Sequence, residues 1–284
     1  MLITGKTHVC AIIGDPVEHS LSPVMHNAAF TELGIDCVYV PFRVLPGSLG
    51  NAVQGLRSQS VIGFNVTFPY KIEIVKYVHK LNPTARLIGA VNTVVNAEGN
   101  LVGHNTDGIG AIKALAQNGI DLNNSTFTIL GAGGASRAIV FSLAKITSRI
   151  QILNRTLEKA QKLKLEVKRK LHRNILAAPL TKRSLAQALS TTDVLVNATS
   201  VGANADARNQ FIEGLDLDRK ITVFDIVYGR SETGLLRKAK QKGCRTISGI
   251  EMLLHQGASA FELWTGRIAP IDIMRRALAS AQVR

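Results

Sequence analysis

Residues 126–137 read TFTILGAGGASR, and this stretch decides the fold of the region around it. Thr126 to Leu130 form an apolar run typical of a buried strand, a glycine-rich turn follows at once, and helical spacing continues to about Ile146. Such a turn lets a pyrophosphate approach the backbone, and the first N–H groups of the helix can bind it. The stretch therefore predicts a Rossmann-type dinucleotide-binding domain, whose candidate cofactor contacts are Gly131, Ala132, Gly133, Gly134 and Ala135.

The end of the next predicted strand, Ile150 to Leu153, indicates which dinucleotide binds. An NAD site usually places an acidic residue there, about 20 residues after the glycine turn, where it binds the ribose 2′-hydroxyl. This chain instead has Asn154-Arg155-Thr156, and Lys159 follows one helical turn later. The planar guanidinium of Arg155 can grip a 2′-phosphate. The sequence therefore favours NADP, with Asn154, Arg155, Thr156 and Lys159 as candidate contacts.

Strand and helix patterns alternate on both sides of this stretch. Before it, a helical pattern begins at Ser22, which is expected to be the N-cap, with Pro23 at the first helical position. After it, apolar runs typical of strands recur at Asp193 to Ala198 and Ile221 to Val227. This alternation predicts an α/β fold with parallel strands covered by helices. From Gly249 onward the pattern is helical to the end of the chain.

Two alternating series followed by a helical tail predict two domains. The expected substrate-binding and catalytic domain is a split α/β domain, residues 1–107, completed by the C-terminal helices of 249–284. The expected NADP-binding Rossmann domain is 108–248.

Composition excludes several classes of protein. Of the 284 residues, 46% are hydrophobic and 19% charged, which is a globular rather than a disordered balance. No apolar run approaches the ~20 residues that span a bilayer, and the N-terminus lacks the features of a signal peptide. We therefore expect a cytoplasmic protein with no membrane partner. Cys10, Cys37 and Cys244 have neither metal-ligand nor disulfide spacing, so we expect no metal site and no disulfide framework. Cys10 and Cys37 stand in apolar strand-like runs, which predicts buried free thiols.

The formal charge of +14 comes in large part from a basic helical pattern at Lys159 to Arg173. Its expected apolar side is Leu163, Leu165, Val167 and Leu171. We interpret it as a solvated amphipathic helix. Aromatic residues are only 5% of the chain and none is interleaved in this stretch for base stacking, so a nucleic-acid partner is not expected.

Four polar clusters stand beside the ends of predicted strands in the first hundred residues. They read GDPVEHSLSP at 14–23, NVTFPYK at 65–71, GAVNT at 89–93 and GHNTDG at 103–108. Their hydroxyl, amide, ammonium and carboxylate groups could surround a small polyhydroxy acid. His19 and His26 are expected to be structural, because polar groups beside turns usually pair locally.

These segments resemble the shikimate dehydrogenase family, which includes quinate dehydrogenases, over nearly the whole chain. The matching motifs are HSLSP at 19–23, NVTFPYK at 65–71, GAVNT at 89–93, NTDG at 105–108, GAGGASR at 131–137, NRT at 154–156 and NATS at 197–200. The resemblance implies an NADP-dependent enzyme of aromatic amino acid biosynthesis that interconverts 3-dehydroshikimate and shikimate.

The resemblance also assigns roles to residues at the matching positions. Lys71 and Asp107 would be catalytic, although the sequence does not decide which of them moves the proton. Ser20 and Ser22 would hold the substrate carboxylate. The remaining implied substrate contacts are Thr67, Asn92, Asp107, Tyr228 and Gln256, and the further implied cofactor contacts are Ile226 and Gly249.

Three alternatives stay open at this point. A quinate or dual quinate/shikimate dehydrogenase shares the scaffold and differs by one ring hydroxyl of the substrate. A non-catalytic NADP-binding module is disfavoured by the presence of both Lys71 and Asp107. A nucleic-acid binder has no matching motif. Oligomeric state is not readable from the sequence, and a homodimer is compatible with it.

Overall fold

The computed structural model describes residues 2–199, 201, 215–229 and 232–283 of the chain. The chain divides into two compact units, residues 1–110 with 253–284 and residues 111–252. Both boundaries fall inside helices, which are Asp107–Gln117 and Gly249–Thr265. No helix in these ranges is both long and apolar enough to cross a membrane.

The first unit is built on a mixed six-stranded sheet. Its strands are β1 (His8–Gly14), β2 (Cys37–Arg43), β3 (Gly63–Val66), β4 (Lys80–Leu81), β5 (Thr93–Ala97) and β6 (Asn100–His104). They lie in the order β2-β1-β3-β5-β6-β4. Only β5 runs against its neighbours, being antiparallel to both β3 and β6. The chain therefore leaves β1, β3 and β6, and enters β5, at one and the same edge of the sheet.

The second unit is built on a six-stranded sheet in which every pair is parallel. Its strands are β7 (Phe127–Leu130), β8 (Ile150–Asn154), β9 (Leu176–Pro179), β10 (Val194–Asn197), β11 (Thr222–Asp225) and β12 (Arg245–Ser248). They lie in the order β12-β11-β10-β7-β8-β9. The chain order reverses between β7 and β10, which is the doubly wound Rossmann arrangement, and ligands bind at that reversal.

Helices lie between strands of the two sheets, and two more follow the last strand. They are α1 (Ser22–Glu32), α2 (Leu49–Ser58), α3 (Pro83–Ile88), α4 (Asp107–Gln117), α5 (Gly134–Ala144), α6 (Leu157–Leu171), α7 (Lys182–Leu189), α8 (Gly234–Gln241), α9 (Gly249–Thr265) and α10 (Ile271–Val283). A short 3-10 helix spans Glu73–Lys76. Within the first unit, α1 packs against the C-terminal α10.

The predicted N-cap of α1 is wrong by one residue. The helix begins at Ser22 itself, Leu21 is the N-cap, and no side chain caps it. The backbone N–H of Ser22 donates to Ser20 Oγ at 3.3 Å. Since that N–H already has a partner outside the helix, the first turn can start one residue earlier, which makes Pro23 the second helical residue.

The basic helix α6 is amphipathic as predicted, but its apolar side is narrower. Ala160, Leu163 and Val167 are buried, whereas Leu165 is 62% exposed. Residue 165 therefore belongs to the solvent face together with the exposed lysines. Glu166, a rare acid on this helix, accepts from Arg137 Nη2 at 2.6 Å and ties α6 to α5.

The cysteines are buried free thiols, as expected. Cys10 of β1 and Cys37 of β2 lie side by side, with their Sγ atoms 3.9 Å apart. Burial, as the largest cause, raises the pKa of the Cys10 thiol well above its ordinary value. The hydrogen bond with Cys10 lowers the pKa of the Cys37 thiol, so the two pKa values are shifted in opposite directions. Both side chains are fully buried, and the pair is therefore part of the apolar packing of the first unit.

Candidate active site

The polar clusters of the first unit meet at the edge of its sheet where β1, β3 and β6 end and β5 begins. Backbone hydrogen bonds join them: Asp15 N–H donates to Phe68 O at 2.9 Å, and Asn92 N–H donates to His104 O at 3.1 Å. Because β5 is antiparallel, its cluster precedes the strand whereas the other three follow strands. The sheet topology thus gathers segments that lie far apart in sequence.

The centre of this edge is an ion pair between Lys71 and Asp107. Lys71 Nζ lies 2.6 Å from Asp107 Oδ2, and the two side chains are 18% and 4% exposed. Asp107 is the first residue of α4, where the positive end of the helix dipole favours a carboxylate. Lys71 follows a turn that contains a cis Phe68–Pro69 peptide bond, and its carbonyl accepts from Val91 N–H at 2.7 Å. Burial makes each charge depend on the other.

Asn92 joins this ion pair to the C-terminal helix α9. Its Nδ2 donates to Asp107 Oδ1 at 3.0 Å and to Gln256 Oε1 at 3.1 Å. Its Oδ1 accepts from the backbone N–H of Thr106 at 2.7 Å. Asn92 and Gln256 are 2% and 8% exposed. The structure therefore brings four of the predicted site residues, Lys71, Asn92, Asp107 and Gln256, into one hydrogen-bonded group.

The predicted residues Ser20, Ser22 and Thr67 lie at the same edge of the sheet. Ser20 and Ser22 flank the start of α1 and are joined by the hydrogen bond described above. Thr67 follows β3, and its backbone N–H donates to Ile13 O in β1 at 2.9 Å. Ser22 is buried, whereas Ser20 and Thr67 are half-buried. Two half-buried residues with hydroxyl groups thus lie at the same edge of the sheet as the ion pair.

Sequence reasoning assigned no role to a second layer of polar residues next to Asn92, although Asn65 and Thr93 stand in the quoted clusters. Tyr39 Oη donates to Asn65 Oδ1 at 2.6 Å, and Asn65 Nδ2 donates to Thr93 Oγ1 at 3.0 Å. All three side chains are buried. The available signal was Asn65 itself, an amide in the middle of the fully buried strand β3, since a buried amide needs partners.

His26 is structural, but the reason expected for it, local hydrogen bonding, is wrong. Its side chain is fully buried, and neither ring nitrogen has a hydrogen-bond partner among the described residues. The ring stacks on Tyr39 with centroids 4.5 Å apart and is tilted against Trp264 at 5.2 Å. Burial lowers the pKa of His26 to about 3. The imidazole is therefore held neutral as part of an aromatic cluster.

The glycine turn of the second unit has the geometry that a dinucleotide requires. Gly131 has φ +105°, and a Cβ there would lie 2.8 Å from Ala198 O, so only glycine fits. Ser136 is buried and its Oγ donates to Gly131 O at 2.6 Å, which fixes the turn to α5. Space beyond Gly133 is open. The turn sits between β7 and β10, at the reversal of strand order, with the N-terminus of α5 beside it. Ala132, Gly134 and Ala135, the other predicted contacts in this turn, are half-buried.

The predicted 2′-phosphate residues lie at the end of β8, next in the sheet to β7. Asn154 Nδ2 donates to Thr156 O at 2.8 Å and so fixes the shape of the loop. Arg155, Thr156 and Lys159 are exposed. Two cations thus stand on the solvent side of this loop, one residue and five residues after Asn154, with side chains available to an anion.

Ile226, Tyr228 and Gly249 lie after the neighbouring strands β11 and β12. Each of Ile226 and Tyr228 is half-buried, and a Cβ on Gly249 would collide with Ile226 O. The loop after β11 is anchored by Asp225, which accepts from Thr233 Oγ1 at 2.6 Å, Asn197 Nδ2 at 2.8 Å and Val227 N–H at 3.1 Å.

Asp225 is a buried acid that the sequence reasoning overlooked. Its side chain is fully buried, and burial raises its pKa to about 6, against the opposing effect of its three hydrogen bonds. The motif NATS at 197–200 supplies one of these donors through Asn197, while Ser200 lies outside the described residues.

In the ranges that the structure describes, no group of three histidine, cysteine or acidic side chains could hold a metal ion.

Comparison with known proteins gives a consistent result over the whole chain. Three family models match in succession: shikimate dehydrogenase substrate binding domain at residues 12–94, shikimate / quinate 5-dehydrogenase at 114–237, and shikimate 5′-dehydrogenase C-terminal domain at 249–279. A shikimate dehydrogenase (NADP(+)) of Methanobrevibacter smithii is 45% identical over 280 residues, which cover 98% of each chain.

Solved structures agree with this match. A crystal structure of a shikimate dehydrogenase in complex with NADP+ is 41% identical and superposes with a TM-score of 0.91, covering 100% of this chain and 98% of the other. A Listeria monocytogenes shikimate 5-dehydrogenase in complex with shikimate and NAD is 39% identical, with a TM-score of 0.83, covering 96% of this chain and 97% of the other.

Proposed function

This chain belongs to the shikimate dehydrogenase family, and we propose that it catalyses the reversible NADP-dependent reduction of 3-dehydroshikimate to shikimate in aromatic amino acid biosynthesis. It is an oxidoreductase of the family's NADP-using type. The observation that carries the proposal is the buried Lys71–Asp107 ion pair, which is bonded to Asn92 and shares the edge of the sheet with the half-buried Ser20 and Thr67. Such a group binds a small polyhydroxy acid and can pass a proton to it.

The substrate contacts follow from the chemistry of the groups at the edge of the first sheet. Ser20 and Ser22 would donate to the substrate carboxylate. The groups that would hold the ring hydroxyls are Thr67, Asn92, Asp107 and Gln256. The family resemblance implies Tyr228 as a further substrate contact. Amide and carboxylate groups suit hydroxyls because they offer donors and acceptors in fixed positions.

We assign proton transfer in the reduction to Lys71 and its orientation to Asp107. Reduction of a carbonyl builds negative charge on oxygen, which a positioned acid must neutralise. Both Asp107 oxygens are engaged, by Lys71 and Asn92, and its place at the start of α4 favours the carboxylate. The Lys71 ammonium has three protons, of which Asp107 holds one. Lys71 is also the more exposed of the two, so its remaining protons can reach a ligand.

The residues of the second unit fit NADP. When bound, NADP supplies or receives the hydride. Gly131, Ala132, Gly133, Gly134 and Ala135 would lie along the pyrophosphate, which the N-terminus of α5 attracts. Asn154, Arg155, Thr156 and Lys159 would hold the adenosine ribose and its 2′-phosphate. Ile226 and Gly249 would contact the rest of the cofactor.

The domain roles follow from these assignments. Residues 1–107 with 249–284 would be the substrate-binding and catalytic domain, and 108–248 the NADP-binding domain. We propose a cytoplasmic enzyme whose ligands are small molecules, with neither nucleic acid nor membrane as partner. For the oligomeric state, we set a homodimer against a monomer. Light scattering during gel filtration measures the molar mass and distinguishes the two.

The test of the proposal is a spectrophotometric assay with shikimate and quinate, each with NADP and with NAD. We expect the highest kcat/KM for shikimate with NADP. Quinate is the second candidate because one matched family model covers both substrates. A higher kcat/KM for quinate would assign quinate as the substrate, and no turnover of either acid with either cofactor would refute the proposed reaction.

Lys71→Met tests the assigned proton donor while keeping the apolar part of the side chain. We expect kcat to fall by at least ~100-fold, the lower end for a positioned acid–base group, with little change in the KM for NADP. Lys76→Met removes an exposed lysine nearby and serves as the control. Near-normal kcat in Lys71→Met would leave Lys71 as a binding or structural cation.

A further inference from the structure

Tyr39 is held in place at its backbone, its ring and its hydroxyl. Its N–H donates to Asn27 Oδ1 at 2.8 Å and its carbonyl accepts from Asn27 Nδ2 at 2.9 Å. Its ring packs on His26 and is tilted against Trp264, with centroids 5.9 Å apart. The side chain is 1% exposed. A phenol fixed in this way holds its oxygen in one place, from which it donates to Asn65 Oδ1 at 2.6 Å.

The donors and acceptors beyond Tyr39 form a chain with one direction. Asn65 Oδ1 accepts from Tyr39, so its Nδ2 must face the other way, where it donates to Thr93 Oγ1 at 3.0 Å and to Asn92 O at 3.1 Å. Thr93 Oγ1, having accepted, donates to Asn92 Oδ1 at 3.2 Å, and Thr106 Oγ1 lies 3.3 Å from the same hydroxyl. Asn92 Nδ2 is then turned towards Asp107 Oδ1 at 3.0 Å. Every step is a buried hydrogen bond, and such bonds polarise one another.

We infer that Tyr39 is a positioning residue for the proposed dehydrogenase reaction, acting through Asn65 and Thr93 to hold the Asn92 amide and the Asp107 carboxylate beside Lys71. The inference rests on the proposed function, because it names what orients the groups of that site. The hydroxyl of Tyr39 is connected to the ion pair by the chain of bonds through Asn65, Thr93 and Asn92. Its effect is to remove the freedom of the Asn92 side chain to rotate or shift, which keeps Asp107 where it orients the Lys71 ammonium.

Tyr39→Phe is the test, and Tyr70→Phe is its matched control. Tyr70 is also buried in the first unit, and its hydroxyl donates to Val44 O at 2.7 Å, a bond that leads to a backbone carbonyl rather than to Asp107. Each variant loses one buried phenol hydrogen bond, so a merely structural role predicts a similar fall in Tm and unchanged kinetics in both. We expect kcat/KM for shikimate to fall about tenfold in Tyr39→Phe only, with the KM for NADP unchanged.

Thr93→Val extends the test to the next link and covers the case in which Tyr39→Phe does not fold. It should produce a similar loss of kcat/KM, and the double variant Tyr39→Phe/Thr93→Val should be little worse than the worse single variant, because both break one chain. Kinetics within twofold of wild type in folded Tyr39→Phe, or in Thr93→Val, would overturn the inference alone. So would additive losses in the double variant. A wild-type protein inactive on shikimate would overturn the proposed function, and the inference with it.

Discussion

Acid should destabilise the first unit through His26. The ring is fully buried and has no polar partner among the described residues, and burial lowers its pKa from 6.5 to about 3. Between pH 6.5 and pH 3, His26 is protonated in the unfolded chain but neutral in the folded chain. The stability that His26 contributes is therefore fully present above pH 6.5 and is lost as the pH falls towards 3.

The size of the effect follows from the pKa difference. At 1.36 kcal/mol per unit, protonation of unfolded His26 lowers the free energy of unfolding by about 3 kcal/mol at pH 4 and by about 4 kcal/mol at pH 3, where half of the folded protein is protonated as well. Domains are stable by roughly 5–15 kcal/mol. A single buried imidazole can thus remove a large part of the stability of this unit in mild acid.

His26→Phe is the variant that tests this reasoning. Phenylalanine keeps an aromatic ring against Tyr39 and Phe261 but cannot take up a proton. Trp264, the single tryptophan of the chain, lies 5.2 Å from the His26 ring, so its fluorescence reports unfolding of this unit in urea. His26→Leu serves if the larger ring does not fit.

We expect the free energy of unfolding of His26→Phe, relative to wild type, to rise by about 3 kcal/mol between pH 7 and pH 4. NMR titration of labelled histidine should show His26 neutral at pH 4 in the folded protein. A difference between variant and wild type that stays constant across this pH range would refute the argument, as would a protonated His26 in the fold.

Three further predictions concern other parts of the chain. Arg155→Ala should raise the KM for NADP about ten- to a hundredfold and leave the KM for NAD nearly unchanged. Replacement of another exposed arginine, Arg169→Ala, should change neither KM. An equal rise in both KM values for Arg155→Ala would contradict the 2′-phosphate role. The stabilising contribution of Asp225 is lost as the pH rises through about 6, because its pKa is raised in the folded protein. In urea unfolding, Asp225→Asn should therefore gain up to about 3 kcal/mol of stability relative to wild type between pH 4 and pH 7. A relative gain at lower pH instead would contradict this reasoning. Asn27→Ala should lower the free energy of unfolding by about 2–4 kcal/mol in the same assay, because Tyr39 loses the partners of both its N–H and its carbonyl. An unchanged free energy of unfolding would mean that water replaces the amide of Asn27.

The sequence predicted the Rossmann fold because its signal is local. A strand, a glycine turn and a helix start occupy twelve consecutive residues, and the structure has β7 end at Leu130 and α5 begin at Gly134. Helix starts with weaker local signals were missed. Asn82 caps α3, accepting from Ala85 N–H at 2.7 Å, and Thr181 forms a capping box with Ser184 at the start of α7. Both are ordinary cap residues that an apolar pattern alone does not reveal.

The order of strands in each sheet lay beyond sequence reasoning because it is set by contacts between distant segments. No local sequence signal places β10 beside β7. This pairing brings Ala198 O close to Gly131, so that only glycine fits at position 131. In the same way, the antiparallel entry of β5 is what carries Asn92 to the edge where Lys71 and Asp107 lie. The motif predicted which residues matter, while the topology explains why they meet.

Two residues stood in the quoted motifs but were given no role of their own, and both are polar side chains in an otherwise buried strand. Asn65 stands in the four-residue strand GFNV and Asn197 ends VLVN, and every residue of both strands is buried. A buried amide without partners is costly, so each must belong to a hydrogen-bonded group supplied from elsewhere. The structure shows those groups, Tyr39 with Thr93 for Asn65 and Asp225 for Asn197. Each of these two hydrogen-bonded groups lies next to a proposed ligand site. At such a site a buried polar residue can orient the groups that bind the ligand, which an apolar residue cannot do.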